Sequence, residues 1–269
     1  MNTLSLKRGA LRLTMLGGLV AALASVPGTG QAAAPGDLIV ERVSGAITIQ
    51  PGSTAVNDTV EVVKAGSVFR VTNTTGTLKA TPGKGCNQVN SKVVDCGTGV
   101  TGLSANLGGG NDTFTARVPL TGAVVGGDGS DVFNAGLSTG GGTALTYQGG
   151  AGSSDMVSYA QANVSVFIRK DAVNNDGRNA GGNIDRDKVL GDIEVVVGSQ
   201  FGDTIEGDNA PEIINGLGGR DSLTANGGND RIVADDGGID SAVNCGGGTG
   251  DIADADAVDQ PTGCETVNR

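Results

Sequence analysis

The sequence predicts an all-β chain whose central part coils as stacked parallel strands, a right-handed parallel β-roll or β-helix. Three observations point there. Glycine supplies 48 of the 269 residues, against about 7 % in an average protein, without the three-residue period of collagen. Val, Ile and Leu recur along the whole chain, which a disordered segment does not sustain. From 198 to 233 the chain reads in uninterrupted nines: GSQFGDTIE, GDNAPEIIN, GLGGRDSLT and ANGGNDRIV. An acid holds the sixth place of each unit (Asp203, Glu212, Asp221, Asp230) and an aliphatic residue the eighth (Ile205, Ile214, Leu223, Ile232). Glycine, tolerant of positive φ, supplies the tight turns such a coil demands.

Residues 1–34 read as a signal peptide. Lys7, Arg8 and Arg12 precede an apolar run from Leu13 to Val26, and Gly30-Gln31-Ala32-Ala33-Ala34 offers cleavage after Ala32 or Ala34. The run is short for a permanent span, and no other transmembrane segment is expected. Cleavage would remove three basic residues and no acid, leaving 15 bases against 29 acids, a net charge of −14. A secreted, extracellular location permits disulfides. The four cysteines allow three connectivities, of which proximity favours Cys86–Cys96 and Cys245–Cys264.

Residues 35–106 form an N-terminal β region of short β-branched runs, among them Leu38-Ile39-Val40, Ile47-Thr48-Ile49 and Val60-Glu61-Val62-Val63, divided by turn residues such as Pro51-Gly52 and Asn57-Asp58. The repeats run from 107 to 233. GGDGSDVFN (126–134) fits G-G-x-G-x-D-x-U-x at every defined place, LGGGNDTFT (107–115) misses only the first glycine, and the stretch from Gly149 through Asp155 to Val157 fits with one inserted residue. Between the two blocks, Val164, Val166 and Ile168 alternate as a strand, a polar excursion through Asn174-Asn175-Asp176-Gly177 reads as a solvated loop, and Ile193-Glu194-Val195-Val196-Val197 resumes the coil. Asn174, Asp176 and Gly177 fall on EF-hand places, but Ala172 and Asn183 stand where that loop needs acids. Residues 234–269 form a Cys-bearing end. It and the N-terminal β region are the candidate caps for the open strand edges of the coil.

The nonapeptide resembles the repeat of the hemolysin-type calcium-binding (RTX) family of secreted bacterial proteins, with clear matches over about 107–159 and 198–233. The resemblance implies a parallel β-roll in which two nine-residue units make one turn of the coil, so that residues 18 apart stack. Neighbouring strands lie about 4.8 Å apart, and calcium, wanting six to eight oxygens, would sit between stacked turns. It implies ligands at Asp112, Asp131, Asp155, Asp203, Asp221, Asp230 and Glu212, and at the backbone carbonyls of Gly108, Gly110, Gly127, Gly129, Gly218 and Gly219. Stacking pairs Asp203 with Asp221, Glu212 with Asp230, and Asp112 with Asp131 at one residue of slack. Glu212 departs from the pattern beside Pro211, and Phe201 and Ala210 replace the fourth-place glycine, which weakens two of these turns.

Composition narrows function. There is no His, which removes the commonest general base and a common transition-metal ligand, and the cysteines lack C-x-x-C spacing for zinc. The excess of acids argues against nucleic acid and for a hard cation. Residues 198–269 carry 14 acids and 3 bases, and turn carboxylates stacked edge to edge repel without a counter-ion. The alternatives are a metal-free β-helix with solvated acidic turns and an extracellular polysaccharide-acting enzyme. With two Tyr and no Trp, sugar-stacking platforms are scarce, and the expectation is a structural or adhesive protein rather than an enzyme. Calcium is the expected partner; an envelope or other extracellular ligand is left open.

Overall fold

The computed structural model describes residues 36–139, 141–179, 181–182 and 184–269; the expected signal peptide lies outside them. Every regular element among the described residues is a strand, and no helix there is long and apolar enough to cross a membrane.

The N-terminal region is built from hairpins. β1 (Asp37–Val43) and β2 (Ala46–Gln50) pair antiparallel. Their two-residue turn, Ser44-Gly45, has φ of 51° and 86°, the double positive φ that matches the right-handed twist of flanking strands. β3 (Thr59–Ala65) and β4 (Val68–Asn73) form a second hairpin. β5 (Thr77–Ala80) adds to β1, and β6 (Asn87–Asn90) and β7 (Val93–Asp95) add beyond β4. The alternation in the sequence becomes a buried face of Leu38, Val40, Ile47, Ile49, Val60, Val62 and Val71.

From there the chain shuttles between sheets. β8 (Gly102–Gly109), β10 (Thr121–Asp128) and β12 (Ala144–Ala151) stack in parallel in one sheet; β9 (Thr113–Ala116), β11 (Val132–Asn134) and β13 (Met156–Ser158) stack in a second. The hairpins seed both, because β2 pairs in parallel with β8 and β3 with β9. Two strand edges that would otherwise stand open are thereby covered. β14 (Val166–Arg169) then starts a third sheet, joined by the short β15 (Gly177–Arg178), while β16 (Lys188–Val189) returns to close the first. After β17 (Val195–Val197), the units of 198–233 alternate between the third and second sheets as β18 (Thr204–Glu206), β19 (Ile213–Asn215), β20 (Ser222–Thr224) and β21 (Arg231–Ala234). β22 (Ala242–Asn244) ends the third sheet; β23 (Ile252–Ala255) and β24 (Thr266–Asn268) end the second.

Two nine-residue units make one full turn. Ile205 pairs with Leu223 and Ile214 with Ile232, each 18 residues on. The interval is 19 from Thr113 to Val132 and 24 from Val132 to Met156, the surplus lying outside the ladders. The eighth-place residues face inward as columns: Phe114, Phe133, Val157, Val196, Ile214, Ile232 and Ala253 along the second sheet, and Ile168, Ile205, Leu223 and Val243 along the third, all buried. No unit buries its apolar side chain alone, so stacking is what makes a core.

The disulfides Cys86–Cys96 and Cys245–Cys264 are both formed. The polar excursion differs from its expectation as a solvated loop. Asp176 is 1 % exposed; its carboxylate accepts the Arg169 and Val189 amides, both at 2.8 Å. Arg178 pairs with the buried Asp185 at 2.8 Å and donates to the Ser138 carbonyl. The physical reason is the exchange of sheets: where one sheet stops and another begins, backbone amides lose their ladder partners, and side-chain acceptors from the excursion satisfy them.

Candidate metal-binding turns

The sixth-place acids of the repeats are drawn inside rather than displayed. Asp112, Asp131, Asp155, Asp203, Asp221, Asp230 and Glu212 are each at most 3 % exposed. Each sits two residues before an inward apolar residue, at the point where turn becomes strand. There, in all but Asp203 and Glu212, one carboxylate oxygen accepts the amide of the acid one turn of the coil earlier. Asp131 accepts from Asp112 at 2.8 Å, Asp155 from Asp131 at 2.8 Å, Asp221 from Asp203 at 2.8 Å and Asp230 from Glu212 at 2.9 Å. The pairings anticipated from 18- and 19-residue spacing are therefore contacts, made as carboxylate-to-amide bonds.

These bonds join into two rows. The first runs Asp58, Asp112, Asp131, Asp155, Glu194, and resumes as Glu212, Asp230, Asp251, Glu265. The second runs Asp203, Asp221, Asp240, Asp259, and begins on the Val166 amide. Asp58, Glu194, Asp251, Glu265, Asp240 and Asp259 lie outside the repeat units read from the sequence. A signal for three of them was present: acid, any residue, inward apolar residue, as in Asp58-Thr59-Val60, Glu194-Val195-Val196 and Asp251-Ile252-Ala253. At Asp58 and Glu194 that triplet survives where most of the turn glycines do not.

The second oxygen of these carboxylates distinguishes the turns. Oδ2 of Asp112, Asp131, Asp155, Asp221, Asp230, Asp240 and Asp251, and Oε2 of Glu212, are buried with no hydrogen-bond partner. Such an oxygen carries a desolvation cost unless something binds it. At Asp131 it lies against the α-carbon of Gly126, where a Cβ would come within 2.0 Å; Gly149 beside Asp155 and Gly216 beside Asp221 are alike, at 2.3 Å each. The first glycine of the repeat thus makes room for the carboxylate. The later glycines make room for main-chain carbonyls. Gly127 (φ 121°) and Gly129 (φ 136°) lie over the carbonyl oxygens of Gly108 and Gly110, which a Cβ would approach to 1.9 and 2.0 Å. Gly219 (φ 142°) likewise lies over the Phe201 carbonyl, which a Cβ would approach to 2.8 Å, whereas Gly218 faces the side-chain oxygen of Gln200.

Burial is the main cause that pushes these acids up from 3.8, to about 7 for Asp112 and Asp221 and to about 6 for Asp131, Asp230 and Asp240; neighbouring carboxylates in the row add to it, and the accepted amides oppose it. Asp155 and Asp203 are raised by burial as well. Two turns receive further donors from the protein itself, which bond both oxygens of Asp203 and one of Glu212. Ser199 gives Asp203 both its amide and its hydroxyl. Lys170 places its ammonium on Glu212. These are the units with Phe201 and Ala210 in place of the fourth glycine.

The donor set fits a hard cation in kind: anionic oxygens lacking a partner, beside glycine turns stacked carbonyl over glycine. Among the described residues no three carboxylate or thiolate groups converge to chelate an ion on their own, so any such ion would draw on main-chain carbonyls. No family model matches this chain, and no curated protein or solved structure does.

Proposed function

We propose that this chain is a secreted, extracellular calcium-binding protein, a right-handed parallel β-roll with a structural or adhesive role, and not an enzyme. The observation that carries the reading is the set of buried, partnerless carboxylate oxygens on the repeat acids. Calcium would be held by Asp112, Asp131, Asp155, Asp221 and Asp230, with the carbonyls of Gly108, Gly110, Gly127, Gly129, Gly218 and Gly219. Asp203, satisfied by Ser199, and Glu212, whose Oε1 already holds the Lys170 ammonium while Oε2 has no partner, are the weakest of the anticipated ligands. The ion would supply the positive charge that two rows of stacked carboxylates lack, and would stabilise the fold by binding it and not the unfolded chain. The hairpins at 35–106 and the Cys245–Cys264 segment would serve as its caps.

The metal-free reading has its own support, because every repeat acid in the rows bonds one main-chain amide or hydroxyl without any ion. Calorimetry on the mature chain separates the two. Calcium binding should saturate with a dissociation constant of roughly 10⁻⁴ to 10⁻³ M, the range of extracellular modules, and magnesium, which demands tighter octahedral geometry, should bind poorly. No saturable calcium uptake, with the same melting curve in EDTA and in millimolar calcium, would leave the metal-free coil as the better account.

A further inference from the structure

The first acid row has one break. At every other step the amide of one acid donates to the carboxylate of the next. At the step from Glu194 to Glu212 it does not, because the Glu194 amide turns back to the Asp155 carbonyl, as does that of Val195. The chain has spent the interval between β13 and β17 on its excursion, so 207–212 has a nine-residue turn stacked on it only from the following side, by 225–230. The Glu212 carboxylate is still drawn in, with its side chain 0 % exposed.

Lys170 fills the break. It follows β14, where Arg169 is in register with Glu206, and its own amide donates to the Glu206 carbonyl. Its side chain is 1 % exposed and its ammonium lies between the Glu212 carboxylate and that of Asp208, the latter at 3.2 Å. Asp208 in turn donates its amide to Glu212 Oε1 at 3.2 Å. Lysine is rarely buried to this degree unless paired, and among the described residues no other acid of the rows has its carboxylate in an ion pair with an ammonium or guanidinium.

We infer that the Lys170 ammonium is a tethered counter-ion that makes the Glu212 turn independent of metal, and that removing it leaves a site for a hard divalent cation on Glu212 and Asp208. The geometry explains the substitution of Glu for Asp at this place: with no amide arriving from the preceding turn, the longer side chain reaches the ammonium instead. It also sets the charge of the cradle. One ammonium faces two carboxylates, the buried Glu212 and the partly exposed Asp208. The second half of the inference rests on the hard-cation reading of the turns; the first half does not.

The test uses the mature chain and its variants Lys170→Met and Lys170→Met/Glu212→Gln, with calcium alone as the probe. In EDTA, Lys170→Met should melt about 10 °C below the parent, because it strands a buried carboxylate. The double variant should recover most of that loss, because it removes the stranded charge. Calorimetry should show Lys170→Met taking up one more equivalent of calcium than the parent, with its melting temperature restored by millimolar calcium; the double variant should not gain that equivalent. Equal melting of Lys170→Met and the parent in EDTA would overturn the inference, as would equal calcium uptake by the two. If Lys170→Met does not fold in EDTA, folding of the double variant supports the counter-ion role, and failure of both to fold refutes it. A parent that takes up no calcium beside a Lys170→Met variant that takes up one equivalent would sink the calcium-binding function and leave this inference standing.

Discussion

The Asp131 and Asp203 turns both bury an acid at the sixth place of a nine-residue unit, and both use one carboxylate oxygen to hold the amide of the preceding rung. They part at the second oxygen. At Asp131 it meets only the α-carbon of Gly126 and has no donor. At Asp203 the Ser199 amide occupies it, and the Ser199 hydroxyl adds a bond to its twin. The difference teaches that the glycine pattern and the acid do separate jobs. The acid fastens one rung to the next; the open glycine turn leaves an oxygen for something from outside. Where the pattern degenerates, the chain supplies its own donor.

The largest effect expected from this contrast is on pH and metal together. Asp112, Asp131, Asp221 and Asp230 rise from 3.8 to about 7, 6, 7 and 6 on folding. A carboxyl whose pKa is raised by folding holds its proton more tightly in the folded state, so it contributes stability below about pH 4 that is lost as pH rises through its folded value. In EDTA the chain should therefore lose at least about 10 °C of melting temperature between pH 4 and 7. Calcium competes with those protons, so its stabilising effect should grow over the same window. Melting scans at stepped pH, with and without calcium, measure both. A metal-free protein that becomes steadily more stable from pH 4 to 7 would show the open oxygens to be solvated in solution, and the contrast between the turns would collapse.

Asparagine sharpens the comparison next. Asp131→Asn keeps an oxygen for the Asp112 amide and removes the charge. It should melt higher than the parent in EDTA at neutral pH, and its calcium-induced rise in melting temperature should shrink. Asp131→Ala also abandons the buried Asp112 amide, and should cost about 1–3 kcal/mol in either condition. Asp203→Asn should leave the calcium response as it is in the parent. Equal loss of that response in Asp131→Asn and Asp203→Asn would mean that Ser199 does not close its turn.

How much of this was legible in the sequence follows the range of the interactions. The eighth-place residues Ile205, Ile214, Leu223 and Ile232 could be read as core because one period places all four. The stacking of Asp203 on Asp221 followed from the same count of 18. Asp251 was missed although its turn is rich in glycine, because it lies beyond the uninterrupted nines that end at 233, and Glu265 because Gly263 alone marks its turn. Asp176 was misread because Asn174-Asn175-Asp176-Gly177 is turn-like locally, whereas its burial is decided by the exchange of sheets around it. Lys170 was invisible for a similar reason: it stands 42 residues before Glu212, and only the register of β14 on β18 brings them together.

The smallest effect expected is at Ser199, and it is the most direct probe of why one turn is closed. The side chain is fully buried, and its hydroxyl donates to Asp203 Oδ1 at 2.8 Å while accepting from the Phe201 amide at 3.1 Å. Ser199→Ala deletes both bonds but leaves the Val166 and Ser199 amides on the two carboxylate oxygens. The amide of the exposed Phe201 can turn to water, so the net loss is the one buried bond to Asp203, worth about 1 kcal/mol, and the variant should melt about 2–4 °C lower in EDTA. Calcium should raise its melting temperature by the same amount as in the parent, because the amide still occupies the oxygen that is open at Asp131. A larger calcium response in Ser199→Ala would assign the closing of that turn to the hydroxyl rather than to the backbone.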